Sequence, residues 1–185
     1  MKHKVNKAFF LDRDGTINVD TGYIGDPNKL ELLPGAAEAI RMMNEAGYLV
    51  IVISNQSGVA RGYFTVWDVE RVNNSLNEML KEKGAHIDAF YYCPHLADGV
   101  VKEYAVECDC RKPKLGLFKR AINDFDLEPK LCYACGDRQR DVDRIVELGV
   151  PVSHLGVVDG ENKKGHFENM RLFFECVVNG GSNIG

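Results

Sequence analysis

The sequence predicts an α/β fold, a three-layer α/β/α sandwich around a mostly parallel sheet of five strands. Two observations predict it. Short apolar runs alternate with longer amphipathic stretches, and each run is bounded by polar or glycine-containing segments. The length of 185 residues fits a single domain. We expect this domain to cover residues 1–178 and a flexible tail to follow over residues 179–185.

Five runs have the character of buried parallel strands. Each is short and almost continuously apolar, because strands that are covered by helices on both faces have no solvent-facing positions. The predicted strands are 8–11, 49–53, 89–92, 131–135 and 152–155.

Four helices are predicted between these strands. Pro34 and Gly47 bound the first, in keeping with the preference for proline at the start of a helix and glycine after its end. Thr65 is suited to cap the second, which continues to about Lys83 with apolar residues at helical spacing. The other two predicted helices are 115–125 and 139–148.

Three segments, 18–32, 56–64 and 93–114, fit neither element and are predicted as loops. They follow the first, second and third strands, and ligands of open α/β sheets bind beyond the carboxyl ends of the strands. We therefore expect the functional site at this edge of the sheet. Since no long second domain is inserted, only a minimal cap is expected over the site.

Composition and charge argue against several classes of function. The net charge is −4 and no basic run is present, so a nucleic-acid surface is not expected. The apolar runs fall far short of the roughly 20 residues of a membrane helix, and the first residues lead into no signal-peptide core. We expect a soluble cytoplasmic protein without nucleic-acid or membrane partners. The charge gives no reason to expect assembly, so a monomer is predicted.

Two pairs of acidic residues follow predicted strands. Asp12 and Asp14 follow the first strand, and Asp137 and Asp141 follow the fourth, so all four should lie at the same edge of the sheet. Such a cluster repels itself unless a hard cation binds, and Mg²⁺ prefers carboxylate and phosphate oxygens. The alternative is that Asp14 and Asp141 only cap helices or turns and that Asp12 is merely exposed.

Hydrogen-bond donors and cations follow the second and third strands. Both kinds of group suit phosphoryl oxygens, so a substrate that carries phosphate is predicted. Their presence also weakens the capping alternative, because all four strand ends then carry chemistry. The residues are Ser54, Asn55, Gln56 and Ser57 after the second strand, and Arg111 and Lys112 after the third.

Over nearly the whole chain, these motifs resemble those of haloacid dehalogenase-like phosphatases. The resemblance rests on Asp12-Arg13-Asp14-Gly15-Thr16, Ser54, Lys112 and Gly136-Asp137 with Asp141. It implies a Rossmann-like core and a two-step phosphoryl transfer. Asp12 would attack phosphorus and form an aspartyl phosphate, and Asp14 would act first as general acid and then as general base.

The same resemblance implies a ligand set for catalytic Mg²⁺. The metal would be held by Asp12, by the backbone carbonyl of Asp14 and by Asp137, with Asp141 in support. The charge on the transferring phosphoryl group would be stabilised by Ser54 and Lys112.

A loop over residues 93–110, inserted after the third strand, carries three cysteines and a histidine with the composition of a tetrahedral zinc site. Four protein ligands leave no position for an activated water, so this zinc is predicted to be structural and to stiffen the loop that leads to Arg111 and Lys112. The alternative is three buried thiols and a surface histidine. The four predicted ligands are Cys93, His95, Cys108 and Cys110.

The C-x-x-C motif formed by Cys132 and Cys135 is interpreted differently. It lies in the predicted fourth strand and not at a helix N-terminus that would lower the pKa of a thiol. Packing in the core is therefore predicted for both residues.

Within the superfamily, the first acidic motif, the loop over 54–65 and the zinc loop most closely resemble the D-glycero-D-manno-heptose-1,7-bisphosphate 7-phosphatase family. This implies removal of the C7 phosphate on the route to nucleotide-activated heptose for the lipopolysaccharide core. Arg138 stands where that family usually carries lysine. The alternatives are a histidinol-phosphate phosphatase of histidine biosynthesis, whose zinc loop is also similar, and an inactive zinc-containing scaffold.

A sugar with two phosphates needs a cation for each, and Arg111 is the residue predicted to hold the second phosphate. The substrate-binding residues predicted for this phosphosugar are Arg13, Asp20, Thr21, Gly22, Tyr23, Asn55, Gln56, Ser57, Arg61, Arg111 and Arg138.

Overall fold

The computed structural model of the chain describes residues 5–160 and 165–178. All described strands form one sheet in the order β3-β2-β1-β4-β5-β6, and every strand pairing in it is parallel. The α/β fold is thus confirmed, with six strands where five were predicted. The strands are β1 (Ala8–Leu11), β2 (Leu49–Asn55), β3 (Ala89–Cys93), β4 (Tyr133–Gly136), β5 (Leu155–Val158) and β6 (His166–Phe167).

Successive residues of the central strand β1 pack into two different clusters. Phe9 and Leu11 belong to one buried cluster, whereas Ala8 and Phe10 belong to the other. Side chains alternate between the faces of a strand, so the two clusters are the two layers of core on either side of the sheet. Burial of a phenylalanine side chain such as Phe9 or Phe10 stabilises the fold by about 1.5–3 kcal/mol.

Within residues 5–160 and 165–178, four α-helices cover the sheet. The cluster that contains Phe9 receives buried residues from α1, α2 and α4, and the cluster that contains Phe10 receives them from α3. Thr65 caps α2 as predicted: its hydroxyl accepts from the Asp68 N–H, and the Asp68 carboxylate accepts from the Thr65 N–H. The helices are α1 (Ala36–Glu45), α2 (Val66–Lys81), α3 (Gly116–Asp124) and α4 (Met170–Val178).

Two of the predicted elements are wrong in position or type. The predicted strand 152–155 is mostly a 3-10 turn, Val152–His154, and β5 begins only at Leu155. The predicted helix 139–148 consists of two 3-10 turns separated at Val142, whose φ of −127° lies outside the helical range. Tertiary packing determines the structure of both segments, since Val142 is buried, whereas Val152 is 74% exposed.

Strand β6 and helix α4 were not predicted, and the predicted tail over 179–185 lies outside the described residues. The fourth strand starts two residues later than predicted, because Pro129–Leu131 forms a 3-10 turn. Among the described residues, no helix has both the length and the apolar character that crossing a bilayer requires.

Candidate active site

The carboxyl ends of the central strands open into a cavity of about 310 Å³. Most of the residues that the sequence predicts as functional line this cavity. They are Asp12, Asp14, Asp20, Gly22, Tyr23, Ser54, Asn55, Gln56, Ser57, Arg61, Arg111, Asp137, Arg138 and Asp141.

Lys112 is not among the residues that line the cavity, but its ammonium group bridges two carboxylates that do. Its Nζ is 2.9 Å from Asp12 Oδ1 and 3.0 Å from Asp141 Oδ1, and its side chain is only 2% exposed. Asn55, at the end of β2, fixes the backbone of Lys112: the Asn55 amide donates to the Lys112 carbonyl at 3.1 Å and accepts from the Lys112 N–H at 2.9 Å. The loop after β3 is thereby tied to β2, which holds the ammonium group beside β1.

Three carboxylates lie beside only two cations: Lys112 bridges Asp12 and Asp141, and Arg138 pairs with Asp137 at 3.3 Å. Burial raises the pKa of Asp12 to about 6, with Lys112 opposing the rise and Asp141 adding to it. Burial, together with the charge of Asp141, also raises the pKa of Asp137. The three carboxylates carry more negative charge than Lys112 and Arg138 balance, which is the situation expected of a cation site.

The donor set fits Mg²⁺. Carboxylate oxygens of Asp12, Asp137 and Asp141 lie within 4.8 Å of one another. Asp141 Oδ2 is buried and has no hydrogen-bond partner among the described residues. Gly15 leaves room beside them, because a Cβ there would lie 2.8 Å from Asp137 Oδ2. A hard cation with oxygen ligands would satisfy these groups.

The Asp14 carboxylate lies apart from this cluster and is held by hydrogen bonds. It accepts from the Arg13 guanidinium at 3.0–3.1 Å, from Asn18 Nδ2 at 3.0 Å and from Gln56 Nε2 at 2.9 Å. Its side chain is 18% exposed, so it still reaches the cavity. Asp14 could therefore serve a metal only through its backbone, and the predicted role of its carbonyl remains a prediction.

Arg13 and Thr21 do not line the cavity, unlike the other predicted substrate contacts. Arg13 is fully buried, and its guanidinium donates hydrogen bonds to Asp14, Gln56 and Asn73. Arg13 thus positions Asp14 from outside the cavity lining. Thr21 is exposed in the loop after β1.

Ser54 is buried at the end of β2 and faces the cavity. Its Oγ accepts a hydrogen bond from Gln56 Nε2 at 2.7 Å, so its own hydrogen remains available to a second acceptor. A phosphoryl oxygen in the cavity would be such an acceptor.

The four predicted zinc ligands come together in the loop after β3. The Sγ atoms of Cys93 and Cys110 are 3.1 Å apart, those of Cys93 and Cys108 are 3.5 Å apart, and His95 Nδ1 is 3.3 Å from Cys110 Sγ. Tetrahedral zinc with Zn–S bonds of about 2.3 Å would place sulfur atoms about 3.8 Å apart. The cluster is therefore compatible with zinc after a small expansion.

The zinc loop also supports the loop that follows β2. The Ala60 N–H donates to the Pro94 carbonyl, and the Ala60 carbonyl accepts from the N–H groups of Val100 and Val101 at 2.8 and 3.0 Å. The neighbouring residue, Arg61, lines the cavity. The cysteine–histidine cluster thus braces both Arg111 and Arg61.

We expect Cys108→Ser to remove bound zinc and to lower kcat/KM about tenfold or more in saturating Mg²⁺, because both arginine-bearing loops lose their support. Metal content by elemental analysis and phosphate release are the two measurements. Cys176→Ser, a thiol outside the cluster, is the matched control and should change neither quantity. Full activity of a zinc-free Cys108→Ser protein would contradict the structural role.

The prediction of core packing for Cys132 and Cys135 is confirmed. Both are buried, and burial raises the pKa of Cys132 to about 11 and that of Cys135 further. Neither thiol is therefore activated as a redox thiol would be.

Sequence reasoning missed Arg140, which also lines the cavity. The only available signal was its position between Asp137 and Asp141. With a helix predicted over 139–148, the side chain of Arg140 is not expected in the cavity. In the structure Arg140 lies in a 3-10 turn, from which its side chain reaches the cavity.

A parallel sheet with this cluster of aspartates, a serine and a lysine at its central strand ends defines a haloacid dehalogenase-like phosphatase. Residues 9–170 match the family model described as Polynucleotide kinase 3 phosphatase. The D-glycero-beta-D-manno-heptose-1,7-bisphosphate 7-phosphatase of Haemophilus ducreyi is 41% identical over 150 residues, which are 80% of this chain and 82% of that protein. The chain therefore belongs to this haloacid dehalogenase-like family, on the branch of the heptose-1,7-bisphosphate 7-phosphatases.

Further relatives and solved structures agree. The phosphatase of the same name from Escherichia coli strain K12 is 38% identical, over 77% of this chain and 75% of that protein. A HAD-like phosphatase from Mesorhizobium loti superposes with a TM-score of 0.82 at 32% identity and covers 98% of this chain and 90% of its own. The D,D-heptose 1,7-bisphosphate phosphatase of B. bronchiseptica, complexed with magnesium and phosphate, has a TM-score of 0.79 at 25% identity, with 95% and 99% covered.

Proposed function

We propose that this protein is a Mg²⁺-dependent phosphatase that removes the C7 phosphate of D-glycero-D-manno-heptose 1,7-bisphosphate. The observation that carries the proposal is the grouping of the Asp12, Asp137 and Asp141 carboxylates in the cavity, with Lys112 bridging Asp12 and Asp141. The identity of the substrate is inferred from the relatives, whose names describe this reaction.

Asp12 is the nucleophile in this proposal. Its Oδ1 already accepts from the Arg13 N–H at 2.8 Å and from Lys112 at 2.9 Å, and Oδ2 accepts no hydrogen bond from the described residues. Oδ2 is therefore the atom with a lone pair free to attack phosphorus. The bond between phosphorus and the C7 oxygen breaks as a new bond forms between phosphorus and Asp12 Oδ2, which gives an aspartyl phosphate.

Asp14 moves the protons. It donates one to the departing C7 oxygen, and it then accepts one from the water that attacks the aspartyl phosphate, so that inorganic phosphate leaves and Asp12 is regenerated. Its hydrogen bonds from Arg13, Asn18 and Gln56 keep the carboxyl group in one orientation through both steps.

Charge on the transferring group is balanced by the protein and by the metal. In this proposal Lys112 and the Ser54 hydroxyl would stabilise the phosphoryl oxygens, which the ion pair of Lys112 with Asp12 and the free hydroxyl hydrogen of Ser54 support. Mg²⁺ bound by Asp12 and Asp137, with Asp141 in support, would neutralise the negative charge that otherwise repels an anionic nucleophile. Arg111 would hold the second phosphate of the substrate, at C1. The structural zinc, the monomeric state, the cytoplasmic location and the role in lipopolysaccharide-core synthesis remain predictions.

The test compares three substrates in saturating Mg²⁺. We expect kcat/KM for heptose 1,7-bisphosphate to exceed that for histidinol phosphate by about 100-fold or more, because the cavity offers cations for two anionic groups. Heptose 7-phosphate should fall between them. A preference for histidinol phosphate would reject the proposed substrate. Equal activity with and without Mg²⁺ would reject the proposed chemistry.

A further inference from the structure

Some of the arginines that line the cavity form no ion pair with its carboxylates, within the residues that the structure describes. Of the four arginines that line it, Arg138 is paired, with Asp137 at 3.3 Å and with Asp20 at 3.9 Å. Within the described parts of the chain, the other three make no ion pair with a carboxylate. They are Arg61, Arg111 and Arg140.

These three arginines come from both sides of the nucleophile. Arg61 follows β2 and Arg111 follows β3, whereas Arg140 follows β4. The strand order β3-β2-β1-β4 places β1, which carries Asp12 at its end, between the two groups. Arg140 is thus the unpaired cation on the β4 side of the cavity, within the described residues.

The turn that carries Arg140 is fixed by its neighbours. The Asp141 N–H donates to the Arg138 carbonyl at 2.9 Å, which closes the 3-10 turn. Asp141 packs against Gly136, where a Cβ would lie 2.7 Å from the Cβ of Asp141, and it pairs with Lys112. Arg140 is therefore held on the cavity wall by the same turn that buries Asp141.

A phosphate dianion is bound most strongly when more than one guanidinium contacts it. Arg111 is anchored by its hydrogen bond to the His95 carbonyl at 3.4 Å, but it approaches from one side only. An unpaired arginine on the opposite side of the same cavity is suited to contact the same anionic group.

We propose that Arg140 is a specificity-determining residue that contacts the non-reacting phosphate of the substrate from the β4 side, opposite Arg111. The inference rests on the proposed function, since it requires a substrate with a second phosphate. It assigns to Arg140 a part in choosing bisphosphates over monophosphates, with the chemistry left to Asp12 and Asp14.

The test measures kcat and KM for heptose 1,7-bisphosphate and heptose 7-phosphate in wild type, Arg140→Gln and Arg140→Lys. We expect Arg140→Gln to lower the ratio of the two kcat/KM values about tenfold, mostly through KM, and Arg140→Lys to restore part of it. The affinity for heptose 1-phosphate, measured by calorimetry, should fall by a similar factor. The matched control is Arg144→Gln, an exposed arginine that pairs with Glu147 outside the cavity.

The outcomes separate the inference from the proposed function. If wild type shows no preference for the bisphosphate, both are overturned. If wild type prefers it but Arg140→Gln keeps the wild-type ratio and the wild-type affinity for heptose 1-phosphate, only the inference is overturned. Turnover of the monophosphate by Arg140→Gln shows that the variant is folded.

Discussion

Replacing Asp12 by asparagine is expected to lower kcat by about 10,000-fold or more with every phosphomonoester. The amide has nearly the same shape and can still accept hydrogen bonds from the Arg13 N–H and Lys112 through its oxygen. It cannot act as the nucleophile, so no aspartyl phosphate forms. The measurement is Mg²⁺-dependent phosphate release from p-nitrophenyl phosphate and from heptose 1,7-bisphosphate.

Asp98→Asn is the matched control, because Asp98 is exposed and lies outside the cavity. It should retain wild-type activity with both substrates. If Asp12→Asn kept activity within tenfold of wild type, water would have to attack phosphorus directly. That result would contradict the two-step proposal.

The convergence of the strand ends could be predicted from the sequence. Asp12, Ser54 and Asp137 each follow an apolar run, and parallel strands bring such positions to one edge. The cluster of three cysteines and one histidine could be predicted for a different reason: its four residues lie within one loop, so no knowledge of the sheet is needed to bring them together.

The positions of Arg13 and Arg140 could not be predicted in the same way. Arg13 stands between two carboxylates in the chain, but its buried position depends on Asn73 of α2 and on Gln56 after β2. The position of Arg140 depends on a 3-10 turn, and the burial of Val142 and Asp141 determines that this segment forms such a turn. Long side chains of this kind are placed by partners that are distant in sequence, which local patterns do not contain.

The other large effect is expected from Lys112→Met, which should lower the free energy of unfolding by about 3 kcal/mol at pH 7.5 without Mg²⁺. Methionine keeps most of the side-chain volume but leaves Asp12 and Asp141 buried without their cation. In the proposed mechanism the lost ammonium also stabilises the phosphoryl oxygens, so kcat should fall about 1,000-fold. Urea unfolding and phosphate release measure the two effects.

The pH dependence identifies the cause of this destabilisation. Burial raises the pKa of Asp12 to about 6 even with Lys112 present, and the loss of Lys112 raises it further. A folded-state pKa above the unfolded one means that proton uptake stabilises the fold at low pH and that this stability is lost as the pH rises. The cost of Lys112→Met should therefore be small at pH 5 and should grow toward pH 7.5.

Two further variants separate charge from packing. The double variant Asp12→Asn with Lys112→Met should be more stable at pH 7.5 than Lys112→Met alone by about 1 kcal/mol or more, because one unpaired carboxylate is gone. Lys119→Met, at an exposed position of α3, should have little effect at either pH. Equal destabilisation of Lys112→Met at pH 5 and pH 7.5 would show that lost packing, and not charge imbalance at Asp12 and Asp141, is responsible.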